Sequence, residues 1–253
     1  MRTIPSLAIS GILAVLGMSG LAAHAAEITV LTGQGVVSAV RDLAPAFERA
    51  SVHKVIISYE LGAALMNKIN SDAPLDIVTH YPDAVDDLAK KGKVLPGTRA
   101  VFARAGIGVA VKEGAPKPDL SSTDAFVRML RNAKSIGYST VGSGLMAANI
   151  IKNLGLTEEL KARTKFLDGF PAAEAVARGE VEIALQQINV ILPVKGAELA
   201  GPLPAELQQY NHFAVGVLAV SKEREAATAL VNFMGAPENE ALVRKSGLEP
   251  PAH

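Results

Sequence analysis

The chain has 253 residues, and its 25 Lys and Arg balance its 25 Asp and Glu, so the formal net charge at pH 7 is zero. A neutral chain argues against nucleic acid as a partner, because that binding rests on contacts between cationic side chains and phosphates. The chain has no cysteine, which excludes disulfides, thiolate metal sites and lipid anchors on cysteine. The length fits one large domain or two small ones.

The N-terminus has the pattern of a secretory signal. Arg2 precedes an apolar run over residues 7–21, and Ala23-His24-Ala25 has the small-x-small form that signal peptidase cuts. The run is short for a membrane-spanning helix, which needs about 20 apolar residues. We therefore predict a signal peptide over residues 1–25, cleavage after Ala25 and a mature protein in the periplasm.

Strands and helices alternate in the first part of the chain. The first predicted strand is followed by Gly33-Gln34-Gly35, where glycine allows a sharp turn into a helix whose first N–H groups are free. Such a helix start can bind an anion, although an ordinary strand-to-helix turn has the same pattern. The predicted elements are strands over residues 27–31, 54–59 and 75–79, and helices from residue 36 and over residues 62–69 and 82–91.

The same arrangement returns later in the chain. A predicted strand over residues 135–140 is followed by Val141-Gly142-Ser143-Gly144 and a helix over residues 145–154. This alternation predicts an α/β fold with a mostly parallel sheet and helices on both faces. The other predicted elements are strands over residues 102–112, 164–167, 181–187 and 213–220, helices over residues 122–131, 171–177, 223–234 and 238–245, and a loop over residues 195–207.

The order of these elements and several short motifs resemble a known family. Among the motifs are Ile28-Thr29-Val30-Leu31, Ala73-Pro74-Leu75-Asp76-Ile77-Val78 and, near the end, Ala236-Pro237-Glu238-Asn239-Glu240. The chain resembles the periplasmic solute-binding proteins of ABC transporters, in their molybdate-binding-protein-like, type II branch. The resemblance implies two α/β lobes with mixed, mostly parallel sheets. We expect lobe 1 at residues 26–106 and 213–253, and lobe 2 at residues 107–212.

The resemblance also implies a function. A protein of this kind captures a small anionic ligand between its lobes, encloses it by hinge closure and delivers it to the membrane permease of an ABC transporter. We expect a monomer with no cofactor and no bound metal. A ligand-sensing subunit that docks on a membrane receptor uses the same closed-lobe surface and stays an alternative.

The binding residues of the family transfer only in part. Its molybdate binders hold the oxyanion with a serine in each of two loops, backbone groups of two further loops and a tyrosine. The serine positions fall on Gly35 and Gly62 and the tyrosine position falls on Gln187, so three hydroxyls are missing. The glycines predict open space and a ligand bulkier than a tetrahedral oxyanion. The predicted ligand-binding residues are Gln34, Gly35, Gly62, Ala63, Tyr81, Ser143, Gly169, Phe170 and Gln187.

The chemistry of these loops favours a small organic anion. The predicted cleft loops contain no Lys or Arg, so an anion would rely on backbone N–H groups of helix starts, each favourable by roughly 0.3–1 kcal/mol. Sugar sites usually need aromatic platforms, and the chain has no Trp. The interpretation that these observations favour is an organic carboxylate, with molybdate or another oxyanion as the alternative within the same family.

The sequence offers little that points to catalysis. No Ser/His/Asp order, metal cluster or nucleotide loop stands out, so we predict no catalytic residues and no enzyme, with a periplasmic lyase or dehydratase as the least favoured alternative. His80 has no second His or Cys at ligand spacing and is interpreted as a loop histidine. Glu60 could be an acid in the cleft or a solvated residue at the end of a strand.

Overall fold

The structure is a computed structural model that describes residues 24–71 and 73–251. The signal peptide predicted over residues 1–25 lies almost wholly outside the described residues, and its cleavage after Ala25 stays a prediction. No described helix is long and apolar enough to cross a membrane.

The described chain alternates strands and helices, as predicted. The strands are β1 Glu27–Thr32, β2 Lys54–Tyr59, β3 Ile77–His80, β4 Ala100–Lys112, β5 Ile136–Tyr138, β6 Thr164–Phe166, β7 Ile183–Gln187, β8 Ala197–Pro202 and β9 Tyr210–Val217. The helices are α1 Val37–Ala50, α2 Ala63–Ile69, α3 Pro82–Lys90, α4 Thr123–Asn132, α5 Ser143–Asn153, α6 Thr157–Leu160, α7 Ala172–Ala177, α8 Ile188–Ile191, α9 Arg224–Gly235 and α10 Glu240–Lys245. Short 3₁₀ turns lie at Lys161–Arg163 and Pro237–Asn239.

The strands of the described residues follow one spatial order, β2-β1-β3-β9-β4-β7-β5-β6, and β8 also pairs with β4. Strand β1 runs parallel to β2 and β3, and β5 runs parallel to β6 and β7. The central strands β9 and β4 are antiparallel to their neighbours. The mixed α/β class predicted from the sequence is therefore confirmed.

Strand β4 belongs to two sheets. Residues 100–106 pair with β9 in the first sheet, and from residue 107 onward β4 pairs with β7 and β8 in the second sheet. We call the parts of the chain packed on the first and second sheets the first and second lobes. The residue bounds of the lobes given above stay a prediction.

Apolar side chains cover both faces of each sheet. Helix α1 buries Val40, Leu43 and Phe47 in a cluster with strands β1 and β9 and helix α9. Helices α2 and α3 fill a second cluster. In the second lobe, α4 and α5 contribute to one cluster and α7 to another. Each sheet is therefore held between apolar layers, as expected for parallel strands buried on both faces.

One predicted loop is wrong. Residues 195–207 were expected to be a loop because they are rich in Gly, Pro and Ala, but Ala197–Pro202 forms strand β8 along β4. The pairing shifts register near Val109 and Ala110, which lets a segment with weak strand propensity follow the edge. Helices α6 and α8 were also missed, because one turn of helix leaves no periodic pattern.

A buried carboxylate joins three separate segments of the first lobe. Asp76 is 8% exposed, and its Oδ2 accepts a hydrogen bond from the Thr29 N–H at 2.9 Å. Its Oδ1 accepts from the Ser221 hydroxyl at 2.6 Å. The side chain therefore fixes the loop before β3 against β1 and against the turn that follows β9.

We expect Asp76→Ala to lower the free energy of unfolding by about 1–3 kcal/mol, because it leaves the Thr29 N–H and the Ser221 O–H without an acceptor. Urea denaturation followed by circular dichroism measures this. The control is Asp87→Ala, which removes an exposed carboxylate paired with Lys90 at 3.3 Å and should change little. Equal effects of the two substitutions would contradict the role given to Asp76.

Candidate functional site

A cavity of about 410 Å³ lies where the ends of the strands from both lobes meet. The first lobe contributes the turn after β1, the turn before α2, the residues after β3 and Phe213 of β9. The second lobe contributes the turn before α5, the loop after β6 and the junction of β7 and α8. Such a crevice at the carboxyl ends of strands is the usual ligand position in open α/β sheets.

The structure brings eight of the nine predicted site residues to this cavity. The eight that line it are Gln34, Gly35, Gly62, Tyr81, Ser143, Gly169, Phe170 and Gln187. Ala63 is not among the lining residues and is exposed at the first position of α2. That these residues bind a ligand stays a prediction. The polar residues Glu60, His80, Ser139 and Gln186 also line the cavity, and the predicted set did not include them.

The first wall is the turn before α1. The N–H groups of Val36 and Val37 both bond the Gly33 carbonyl, at 3.3 and 3.1 Å. These two donors are therefore used inside the turn and are not available to a ligand, contrary to the expectation for a helix starting near Gly35. Within the described residues the N–H groups of Gln34 and Gly35 have no acceptor.

Two opposing turns have nearly the same backbone conformation. Gly62 precedes α2 with φ 50° and ψ −127°, and Gly142 precedes α5 with φ 55° and ψ −124°. Only glycine adopts this region without strain. Each turn leaves N–H groups unbonded to any acceptor in the described chain, and these belong to Leu61, Gly62, Ala63, Val141, Gly142 and Ser143.

A further loop completes the second-lobe wall. Asp168 accepts hydrogen bonds from the Thr140 N–H and hydroxyl, both at 2.8 Å, which fixes the loop after β6 beside the turn before α5. The N–H groups of Gly169 and Phe170 have no acceptor among the described residues. Residues with unbonded backbone N–H groups thus line the cavity from both lobes.

Open space was expected at Gly35 and at Gly62, and the structure has it only at Gly62. A Cβ on Gly62 would meet nothing within 4 Å, as expected, but a Cβ on Gly35 would lie 2.7 Å from Cζ of Phe213 and 3.2 Å from Oε1 of Gln187. The Phe213 ring also stacks on Tyr81, with centroids 5.5 Å apart. The space at Gly35 is therefore filled by an aromatic pair, so the expected open space there is wrong.

Two neighbouring glutamines have different roles. Oε1 of Gln186 accepts from the Ala173 N–H at 3.0 Å, in a buried bond that orients α7. Gln187 is 3% exposed, lines the cavity and has no hydrogen bond from its amide to any described residue. The amide atoms are not among the buried unpaired atoms of the described residues, so they are accessible from the cavity and free to meet a ligand.

The ionisable side chains at the cavity carry little net charge. Burial lowers the pKa of His80, and its Nδ1 accepts from the Tyr81 N–H at 2.7 Å, so the ring is neutral with its proton on Nε2. Burial raises the pKa of the Tyr81 phenol, which stays protonated. Glu60 lines the cavity and pairs with Lys68 at 2.9 Å. The lining contains no Lys or Arg.

Comparison with known proteins identifies the family. The model of bacterial extracellular solute-binding proteins matches residues 28–249, which is most of the chain. The chain belongs to this family. The cavity lies between the lobes, which is where the sequence resemblance predicts the ligand.

Two similar relatives differ in what their names say. The chain is 29% identical to the aconitate isomerase of a Pseudomonas species over 253 residues, 98% of this chain and 97% of the relative. It is 27% identical to the molybdate-binding protein ModA of Azotobacter vinelandii over 242 residues, 91% and 93% of the two chains. This chain is thus similar to one protein that is named as an enzyme and to one that is named as a binding protein.

A solved structure supports the fold. The periplasmic molybdate-binding protein of Azotobacter vinelandii superposes with a TM-score of 0.72 at 20% identity, covering 89% of this chain and 100% of that one. The two-lobed, type II periplasmic-binding-protein fold predicted from the sequence is confirmed. Within the described residues, no group of three or more His, Asp or Glu side chains could hold a metal ion.

We expect Gly35→Ala to lower the free energy of unfolding by about 1–3 kcal/mol, because the new methyl group overpacks against the Phe213 ring. Phe213→Leu introduced into the same variant should restore part of the loss. The control is Gly33→Ala, whose Cβ would make ordinary contacts at 3.4 Å with Leu65. Thermal unfolding measures all three, and equal losses for the two alanine substitutions would contradict the close contact.

Proposed function

We propose that the protein is a periplasmic solute-binding protein that captures a small organic carboxylate between its lobes and delivers it to an ABC transporter. The observation that carries the proposal is the ring of unbonded backbone N–H groups around a cavity without Lys or Arg. Neutral donors of this kind, several at helix starts, stabilise an anion.

Donors on both walls favour a ligand with more than one carboxylate. The turns before α2 and α5 belong to different lobes and carry free N–H groups at equivalent positions. A di- or tricarboxylate could engage both turns and hold the lobes together, which a single carboxylate does less well. The relative named aconitate isomerase makes aconitate, a tricarboxylate, the first compound to test.

Molybdate is a weaker candidate. The positions Gly35, Gly62 and Gln187 lack the hydroxyls expected of a molybdate binder, and the Phe213 ring occupies the space that a side chain at Gly35 would need. The cavity of about 410 Å³ is also roomy for a tetrahedral oxyanion. The similarity to a molybdate-binding protein keeps molybdate as the comparison ligand.

Isomerisation is the second candidate, because the relative named as an isomerase matches nearly the whole chain. Moving the double bond of aconitate requires removal of a proton from one carbon and its return to another, which is general acid–base chemistry. Glu60 is the acidic side chain in the lining, and neutral His80 and Tyr81 are donors. In this alternative Glu60 would accept the proton from one carbon and return it to the other, while the donors stabilise the charge on the carboxylate.

We expect calorimetry to detect binding of trans-aconitate and only weak binding of molybdate. Gln187→Ala should weaken aconitate binding about ten- to hundredfold, because a hydrogen bond to a charged group contributes about 1.5–3 kcal/mol. The control is Gln209→Ala, an amide outside the cavity lining, which should bind like the parent. Submicromolar molybdate affinity with no aconitate binding would overturn the proposal.

We expect no isomerisation if the protein only binds its ligand. Proton NMR of trans-aconitate in D₂O with the protein detects the cis isomer and any deuterium incorporated. Turnover that is lost in Glu60→Gln but kept in Glu158→Gln, an exposed control, would establish the isomerase instead. An unchanged spectrum over many protein equivalents would exclude it for aconitate.

A further inference from the structure

Asn189 connects the two lobes beside the cavity. It lies in α8, directly after the Gln187 end of β7, and is 2% exposed. Its Nδ2 donates to the Gly35 carbonyl at 3.0 Å and to the Ser38 hydroxyl at 3.2 Å. Both acceptors belong to the first lobe, at the turn that forms one wall of the cavity. One side chain thus bonds a cavity wall across the lobe boundary.

The C-terminal segment around Gly247 packs against Asn189 and fixes its position. A Cβ on Gly247 would lie 3.0 Å from Cα of Asn189 and 3.3 Å from its Cβ, so the C-terminal segment packs tightly on α8. That segment is bonded to β4, since Arg104 and Glu249 exchange backbone hydrogen bonds of 2.7 and 2.8 Å. This packing holds the backbone of Asn189 in place beside the Gly35 turn.

The other end of the amide has no partner. Oδ1 of Asn189 is buried without a hydrogen bond within the described residues. Burying an unpaired carbonyl oxygen is costly, and a leucine of similar size would avoid that cost. The two hydrogen bonds that Nδ2 donates to the first lobe therefore explain an asparagine at this position better than packing does.

We infer that Asn189 is a positioning residue, which latches the Gly35 turn to the second lobe and thereby favours the closed cleft. Its two hydrogen bonds hold the Gly35 carbonyl and the Ser38 hydroxyl against α8. The free N–H groups of Gln34 and Gly35 are then held in place for a ligand, next to the Gln187 amide. The effect on affinity rests on the proposed carboxylate site, whereas the effect on closure does not.

The test measures closure without ligand. The chain has no cysteine, so spin labels can be placed only where wanted, at Asn67→Cys on α2 and Asn149→Cys on α5, both exposed. Pulsed electron resonance then reports the distance across the mouth of the cleft. We expect Asn189→Ala to shift the distance distribution of the unliganded protein towards longer values.

The matched control is Asn239→Ala. Asn239 is also buried, and its Nδ2 donates to the Phe233 carbonyl at 2.8 Å, but both residues belong to the first lobe. This variant should lower stability without changing the distance distribution. An unchanged distribution in Asn189→Ala, or the same shift in Asn239→Ala, would overturn the latch.

A second variant and a binding measurement test the latch further. If Asn189→Ala does not fold, Ser38→Ala removes one acceptor of the latch and should produce a smaller shift in the same direction, and no shift would count against it. In calorimetry with trans-aconitate we expect about tenfold weaker binding by Asn189→Ala. If trans-aconitate does not bind the parent, the proposed ligand fails while the distances still decide the latch.

Discussion

Backbone N–H groups in the first turn of a helix cannot be bonded within that helix, and this constraint organises the cleft. Turns ahead of α2 and α5 present such groups from opposite lobes, and the loop after β6 adds two more. A polar group removed from water needs a partner, so closing the lobes over these donors costs less when an acceptor lies between them. The anionic ligand that we propose would therefore be held by backbone donors without any Lys or Arg in the lining.

Glycine makes this arrangement possible where the backbone requires it. At Gly62 and Gly142 the backbone dihedral angles lie in a region that only glycine adopts without strain. The two pairs of angles are nearly identical, so both lobes use the same turn. The hydroxyl of Tyr81 lies 3.1 Å from the position of a Cβ on Gly142, so the first lobe reaches the second at that turn. A side chain at Gly142 would force the Tyr81 hydroxyl to shift and would strain the backbone at this positive φ.

Strand β4 explains how two lobes can share one cavity. Its first part is hydrogen-bonded in one sheet and its second part in the other, so the strand passes from lobe to lobe. The chain is similar over most of its length both to a relative named aconitate isomerase and to a relative named as a molybdate-binding protein. Differences between such proteins can lie in the few side chains that reach the cavity, of which Phe213 and Gln187 are the most distinctive here.

Local pattern was enough to predict most of the elements, the class of fold and the positions of the glycine turns. Strand runs such as residues 54–59 and the glycine turns around Gly35 and Gly142 depend on neighbouring residues, which the sequence displays directly. The family resemblance then indicated which turns lie together. Eight of the nine predicted site residues line one cavity for that reason.

Tertiary packing decided what no local pattern contains. The strand at Ala197–Pro202 forms because the edge of β4 accepts it, and α8 is too short to leave a periodic signal. Three side chains lie against Gly35 although they are about 150 or more positions away in the chain. The Phe213 ring and the Gln187 amide lie close to it, and Asn189 donates a hydrogen bond to its carbonyl. The sequence by itself determined which turns could bind an anion, and only the folded chain decided which side chains fill the space between them, because those contacts depend on distance in space.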